Sequence, residues 1–573
     1  MGILDAIKNL FIKPQVSAET KNESVTVEES IEKTVAEIYD SPLSISKQPR
    51  PHQIEALSIL QNHSIGQVCI PTGTGKTFIQ LMLHIQDMAE KQKNNECGVY
   101  VIAAHRLVLC NQLFKEFVYE AIFNNNFECN FLGVSSDTTF TLKALAKSMQ
   151  KIRNVSRKVV AEKLSFEDIE VKSTTNTTEI KRFVSNAKAL NRHCIIISTY
   201  ESFDKLSCLP SIDVCTYDEA HEITSEDNFN KVLKVKPKIK KQIFFTATRK
   251  ESDSKRGMNQ TDFYGEVLFE KSPRQMIDAG EIVPPNNFHT INVKNDEGYD
   301  YDNPVMTIRA ITEGFLEHRA LVKKHSCKPD SIGAKLLVAC DGAIQLKDIV
   351  ENISFRNWCE SNNIRVFSVN SEHGEWVDFT NVNNRNTFMD KLNELKDDED
   401  AIFIHIKILA EGIDLPAITG IMPIRDMDRT TLTQTLGRAT RLIKEDRRRL
   451  YLPITDSEKI YPQEYNKYVK PWAWVLIPDY LLNDSNQITT VINDVYNSYG
   501  VRADQFSESE KYMALSEFPM ESINDPEEMN RKFKDGELSH YFSFSEMIQE
   551  KIKLISDDDQ PKLALEILEN YDA

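Results

Sequence analysis

The sequence predicts an α/β protein with two parallel-sheet lobes in tandem. Three observations carry this. From about Gln48, short apolar runs (Gly98–Ala103, Cys194–Ser198, Val214–Tyr217, Gln242–Phe245) alternate with helical patterns, the arrangement of a doubly wound parallel sheet that binds ligands at the carboxyl ends of its strands. A second series opens near Asn286 and includes Ala334–Ala339, Arg365–Val369, Ala401–His405 and Ala473–Ile477. Ile70 to Thr77 reads IPTGTGKT, between the apolar run Gln67–Ile70 and a helical pattern over Phe78–Ala89. That is a strand, a glycine-rich loop and a helix start.

The flanks differ from this alternation. Met1 to Lys13 places Ile3, Leu4, Ile7, Leu10 and Phe11 on one helical face. Docking of this peptide on the protein's own body is expected, since a short helix is marginal alone; a partner or a membrane surface is the other use. Ala6 breaks the myristoylation pattern after Gly2. Residues 14–45 are polar and rich in Glu, Ser and Thr, as a linker is. The expected division is 1–45, an extension and linker; 46–272, the first lobe, with a Lys-rich insert at about 135–190; 273–285, a connection; 286–480, the second lobe; and 481–573, a mainly helical, acidic segment through which a protein partner is also conceivable.

Composition sets limits. Hydrophobic content of 41% with 27% charged residues belongs to a globular chain. There is no bilayer-length apolar run and no secretory signal, so a cytoplasmic location is expected. The ten cysteines include no C-x-x-C pair, which argues against structural zinc and iron–sulfur clusters. A net charge of −17 argues against coating nucleic acid by overall basicity. Two local basic tracks remain: Leu142–Val160, with Lys143, Lys147, Lys151, Arg153, Arg157 and Lys158, and Lys231–Lys241, KVLKVKPKIKK. Each is equally well a solvated helix face.

The loop carries phosphate chemistry. Gly73 and Gly75 let backbone N–H groups turn inward around an anion that the following helix also attracts. Thr72, Thr74 and the two glycines form the cradle, Lys76 is placed for β/γ-phosphates, and the Thr77 hydroxyl for Mg²⁺. Downstream, Val214–His221 reads VCTYDEAH, an apolar run ending in paired carboxylates. Asp218 suits Mg²⁺, and Glu219 suits orienting and deprotonating an attacking water. Either motif alone is short enough to arise by chance. Together, each at a strand end, they specify nucleotide hydrolysis. Thr433–Arg441 reads TQTLGRATR, where i, i+4, i+7 spacing puts Gln434, Arg438 and Arg441 on one side of a helix. Two arginines there can supply charge to a phosphate held by the other lobe.

At these residues the chain resembles the superfamily 2 helicases and translocases, over roughly 48–445. RPHQ (Arg50–Gln53) resembles the Q-type motif, the proline-led PTGTGKT motif I, VIAAHRLVLCNQL (Val101–Leu113) motif Ia, DEAH motif II, TAT (Thr246–Thr248) motif III, AEGIDLP motif V and QTLGRATR motif VI. IIISTYES (Ile195–Ser202) resembles a strand-end motif that touches the nucleic-acid backbone. Phe263–Pro285 and VNSEHG (Val369–Gly374) are similar to passages in the DNA-directed group that includes restriction motors and phage or repair helicases.

The resemblance implies two RecA-like domains with ATP and Mg²⁺ between them. It implies adenine contacts from Arg50 and Gln53, nucleotide contacts from Gly412 and Asp414 of motif V, and nucleic acid at Arg106 and Thr199. Lys143, Lys147 and Lys151 of the insert are further nucleic-acid candidates. Thr435 and Thr440 depart from the QRxGRAGR of DEAH RNA helicases, which favours DNA over RNA. Ala104-His105-Arg106 departs from the usual motif Ia, and no D–E-x-K nuclease pattern lies outside the motor. Two other functions fit the same motifs: the motor subunit of a defence or restriction assembly, and a nucleic-acid sensor gated by its ATPase.

Overall fold

The computed structural model describes residues 49–500 apart from 106–109, 111–112, 115, 118–120, 122–124, 126, 137–169, 296–297, 299–302, 371–373, 383–384, 407–414, 416, 452–457 and 485. Its described residues fall into two compact units, one holding Arg50–Ser58 and the other holding Pro49 and everything from Ile59 onward. Pro51 opens a helix over Pro51–Gln61. The Gln53 side chain accepts from the backbone N–H of Arg50 at 2.9 Å, the return half of a capping box.

The second unit is built on two eight-stranded sheets flanked by helices, as tandem RecA-like domains are. The first contains β1 (Ile65–Cys69), β2 (Val99–Ala104), β3 (Cys129–Val134), β4 (Val171–Ser173), β5 (His193–Thr199), β6 (Ile212–Tyr217), β7 (Ile239–Thr246) and β8 (Val267–Glu270). Their order is β4-β3-β5-β2-β6-β7-β1-β8, and every pairing is parallel. Strands β2, β3, β5 and β6 are buried along their whole length. A strand covered on both faces needs a continuous apolar run, and that is why three of these four were legible in the sequence.

The second sheet contains β9 (Pro285–Ile291), β10 (Lys335–Ala339), β11 (Arg365–Asn370), β12 (Gly374–Val377), β13 (Thr380–Asn381), β14 (Ala401–His405), β15 (Gly420–Pro423) and β16 (Ala473–Pro478). Its order is β13-β12-β11-β14-β10-β15-β16-β9. β12 and β13 form an antiparallel hairpin on the β11 edge, and the remaining pairings are parallel. The hairpin turns on Asp378 and Phe379, both at positive φ (47° and 63°), the double left-handed geometry of a type I′ turn. No Asn-Gly or Asp-Gly signals it in the sequence. Among the described residues no helix is long and apolar enough to cross a membrane.

Candidate nucleotide-binding and catalytic site

Motif residues that follow β1, β6 and β7 of the first sheet meet the helix that follows β15 of the second. The glycine loop leaves β1 and enters the Lys76–Lys93 helix through Gly75, which is left-handed at φ 90°. Gly73 is left-handed too, at φ 89°. The buried Thr74 hydroxyl donates to Pro71 O at 2.7 Å and closes the loop on itself. Lys76 is 7% exposed, yet among the described residues its ammonium has only Ile70 O at 3.4 Å and Glu219 Oε1 at 3.8 Å. A buried cation with three donors and two long contacts is fitted to receive an anion. Among the described residues the buried Thr72 hydroxyl also lacks a hydrogen-bond partner.

Asp218 follows β6. Its N–H donates to Ala103 O at 2.8 Å, the Tyr200 hydroxyl donates to its carbonyl at 2.6 Å, and Gln80 Nε2 donates to its Oδ1 at 2.7 Å. Burial, then the neighbouring Glu219 charge, raises its carboxyl to about 6. Glu219 itself adopts φ 48°, ψ 52°, a left-handed backbone that non-glycine residues take at a cost of order 1–3 kcal/mol. The bonds on Asp218 and the Glu222 N–H donated to Glu219 O at 3.0 Å hold it there. Burial opposes ionisation of Glu219, but Lys76, His221 and Arg438 outweigh it and bring its pKa below the ordinary value. Among the described residues Glu219 Oε2 makes no hydrogen bond, and it lies 3.5 Å from His221 Nδ1.

His221, fully buried, joins the lobes. Nδ1 is 3.0 Å from Thr246 Oγ1, whose hydroxyl already donates to Thr248 O at 2.9 Å, so the ring donates there. Nε2 faces Gln434 Nε2 of the second lobe at 3.3 Å and Glu222 Oε1 of its own lobe at 3.3 Å. A neutral ring protonated on Nδ1 accepts from Gln434; a ring protonated on Nε2 gives that hydrogen to Glu222.

The Gln434 helix spans Arg429–Ala439 and is capped by Asp428, which accepts from Thr431 N at 3.0 Å. Gln434 and Arg438 project from it as the spacing requires. Arg441 does not, because the helix stops at Ala439. Beyond it, Val283 N donates to Thr440 O at 2.8 Å and Ile282 pairs with Arg441 in an antiparallel bridge. The expected three-residue helical face is therefore two residues on the helix and a third on an extended exit. Arg441 still reaches the loop: a β-carbon on Gly73 would lie 2.7 Å from its Cγ.

Residues 46–251 match the family described as type III restriction enzyme, res subunit. The chain resembles the superfamily 2 restriction motors. It is similar in fold to the ATP-dependent type ISP restriction-modification enzyme LlaBIII bound to DNA, with a TM-score of 0.53 and 16% identity, covering 79% of this chain and 29% of that one. The matched part of this chain thus spans less than a third of that enzyme. Further matches are a putative HsdR subunit of a type I restriction enzyme from Vibrio vulnificus YJ016 (TM-score 0.43, 17% identity, covering 79% of this chain and 69% of that one) and Mss116p bound to single-stranded RNA and AMP-PNP (TM-score 0.46, 14% identity, covering 97% and 92%). No curated protein matches the sequence.

Other expected site residues fall elsewhere. Gly412, Asp414, Arg106, Lys143, Lys147 and Lys151 lie outside the described residues, as do the N-terminal peptide and everything past Gly500. Arg50 and Gln53 lie in the smaller unit, with Gln53 engaged in capping. Thr199 ends β5 and is buried, so its side chain offers little surface to a strand.

The Lys231–Lys241 track divides at Val235: Lys234 stays on the exposed face of the Glu226–Val235 helix, as a solvated face does, whereas the lysines after Val235 have partners. Lys236 donates to Asp262 O at 2.8 Å, Lys238 to Leu209 O at 2.9 Å and Lys241 to Leu60 O at 2.6 Å, and Lys240 pairs with Asp213 at 2.8 Å. Sequence reasoning missed Gln80 and Tyr200. Gln80 had a signal, since it stands four residues after Lys76 on the same helix face; Tyr200 had none.

Proposed function

We propose that the chain is an ATP hydrolase that moves along or unwinds nucleic acid, with DNA as its polymer, by closing and reopening two RecA-like lobes around ATP. The observation that carries this reading is the row Lys76–Glu219–His221–Gln434, which runs from the glycine loop of one lobe to the arginine helix of the other. Lys76 and the loop N–H groups hold the triphosphate. Thr77 and Asp218 are the residues that would hold Mg²⁺, which when bound offsets phosphate charge. Glu219, ionised at neutral pH, takes the proton of the attacking water. Arg438 and Arg441 bring positive charge to the phosphate from across the cleft, and Gln434 reports through His221 whether the second lobe is in place.

The restriction-subunit match over 46–251 supports DNA, as do Thr435 and Thr440 in motif VI. The same match, with the small share of LlaBIII that is covered, supports a second reading in which this motor works within a larger restriction-type assembly.

The test replaces each arginine by lysine, which keeps the charge but not the bidentate fork. Arg438→Lys and Arg441→Lys should each cut polymer-stimulated ATP hydrolysis severely, since losing an arginine finger costs about 10³–10⁵ in related phosphoryl transfers. Rates are measured with single-stranded DNA, duplex DNA, structured RNA or no polymer. Wild-type turnover by both variants overturns the composite site. Hydrolysis without strand displacement on forked or blunt duplexes points to translocation or sensing instead of unwinding.

A further inference from the structure

We propose that Lys470, outside every recognised motif, is a positioning residue that fixes the backbone of Arg441 and so aims its side chain at the glycine loop. This rests on the reading that Arg438 and Arg441 complete the nucleotide site. Lys470 is 2% exposed. Its ammonium has three hydrogens to give, and three carbonyls surround it: Ile418 O at 3.0 Å, Ala439 O at 2.5 Å and Arg441 O. Ala439 closes the arginine helix, so its carbonyl is one of the groups that a helix C-terminus leaves without an internal partner. A cation also suits the negative end of the helix dipole. Ile418 lies two residues before β15. One ammonium therefore ties the end of the arginine helix, and Arg441 two residues beyond it, to the second sheet.

Lys470 is itself held. The fully buried Asp446 accepts the N–H of Val469 at 2.8 Å and of Lys470 at 2.9 Å. The same strip of chain is gripped from its other side by the Val283–Thr440 hydrogen bond and the Ile282–Arg441 bridge. The Arg441 backbone thus has a fixed launch point, and its Cγ lies against Gly73 across the cleft. Without the ammonium, two carbonyls at the base of motif VI lose their partner, and the Arg441 backbone is held from the Ile282–Val283 side alone. A misplacement of about 1 Å at such a site costs of order 10²-fold in rate.

The experiment is a double-mutant cycle on the full-length chain: wild type, Lys470→Met, Arg441→Ala and the double variant, each assayed for ATP hydrolysis with the most stimulating polymer and for ATP binding. Lys470→Met should lower kcat by about 10- to 100-fold, while KM and the ATP dissociation constant stay within about twofold of wild type because the loop is intact. The double variant should be no slower than Arg441→Ala alone. If Lys470→Met does not fold by circular dichroism, Lys470→Arg takes its place, since a planar guanidinium cannot meet three carbonyls placed around an ammonium. A Lys470 variant with wild-type kcat, or one whose loss multiplies with that of Arg441→Ala, overturns the inference alone. Wild-type turnover by Arg441→Ala overturns the composite-site reading and this inference with it.

Discussion

Gly437 of the arginine helix sits against Thr72 of the glycine loop so closely that a β-carbon on Gly437 would lie 2.8 Å from the Thr72 Cβ. The two residues belong to different lobes, and they meet between the Arg438 side of the helix and the phosphate cradle. Closure of the lobes in this conformation therefore depends on a missing side chain.

Gly437→Ala separates helix stability from lobe closure. Alanine in a helix interior is favoured over glycine by about 1 kcal/mol, so the second lobe should be no less stable. The added methyl has to displace Thr72, so stimulated ATP hydrolysis should fall about tenfold or more, a barrier increase of ~1.4 kcal/mol. Thermal unfolding and kcat measured on the same preparation check this; a variant as fast as wild type shows that the lobes close without this close approach.

Glu219→Gln tests the base. The amide keeps the size of the side chain, and Asp218 and Thr77 are untouched, so nucleotide should still bind. Turnover should drop ~10²–10⁴-fold for want of a proton acceptor. Binding of a fluorescent ATP analogue together with phosphate release reads the two effects apart, and near-normal release removes Glu219 from that role.

Glu222 predicts an acid-range dependence. Its hydrogen bond with His221 holds its pKa down to about 2 against burial, and His105, 3.8 Å away, adds to the pull. A carboxylate with a lowered folded-state pKa stabilises the fold in full above its unfolded value, near 4.3 for glutamate, and that share is lost as pH falls through about 2. Glu222→Gln should be less stable than wild type at pH 6 by about 1–3 kcal/mol. The gap should narrow as pH falls below about 4, and urea unfolding at both pH values measures it. A gap independent of pH assigns the loss to packing.

The insert lysines test polymer binding without any structural premise, since they lie outside the described residues. Changing Lys143, Lys147, Lys151, Arg153, Arg157 and Lys158 to Gln should weaken DNA binding and flatten its salt dependence. Every phosphate that is no longer neutralised by a side chain takes about 0.9 off the log–log slope on duplex DNA. An unchanged slope returns the segment to a solvated surface.

The parts whose signal is local were legible in the chain. Continuous apolar runs marked β2, β5, β6, β14 and β16, because a strand buried on both faces has to be apolar throughout. The glycines of IPTGTGKT and the carboxylates of DEAH marked the phosphate and water chemistry, because those motifs depend on residue types at fixed short spacing. Strands such as β12, β13 and β15 left no such mark; they are two to four residues long and are defined by the neighbours they pair with.

Packing alone put His221 Nε2 between Gln434 and Glu222, held Glu219 left-handed, and took Arg441 off the helix to approach Gly73. It also turned the lysines after Val235 onto backbone carbonyls and a buried aspartate, and it placed Lys470 beneath motif VI. The physical reason is the same in each case. A side chain's partner is set by which surfaces pack together, and burial then requires every ammonium, carbonyl and carboxylate brought along to find one. Periodicity within a segment carries no information about a group hundreds of residues away.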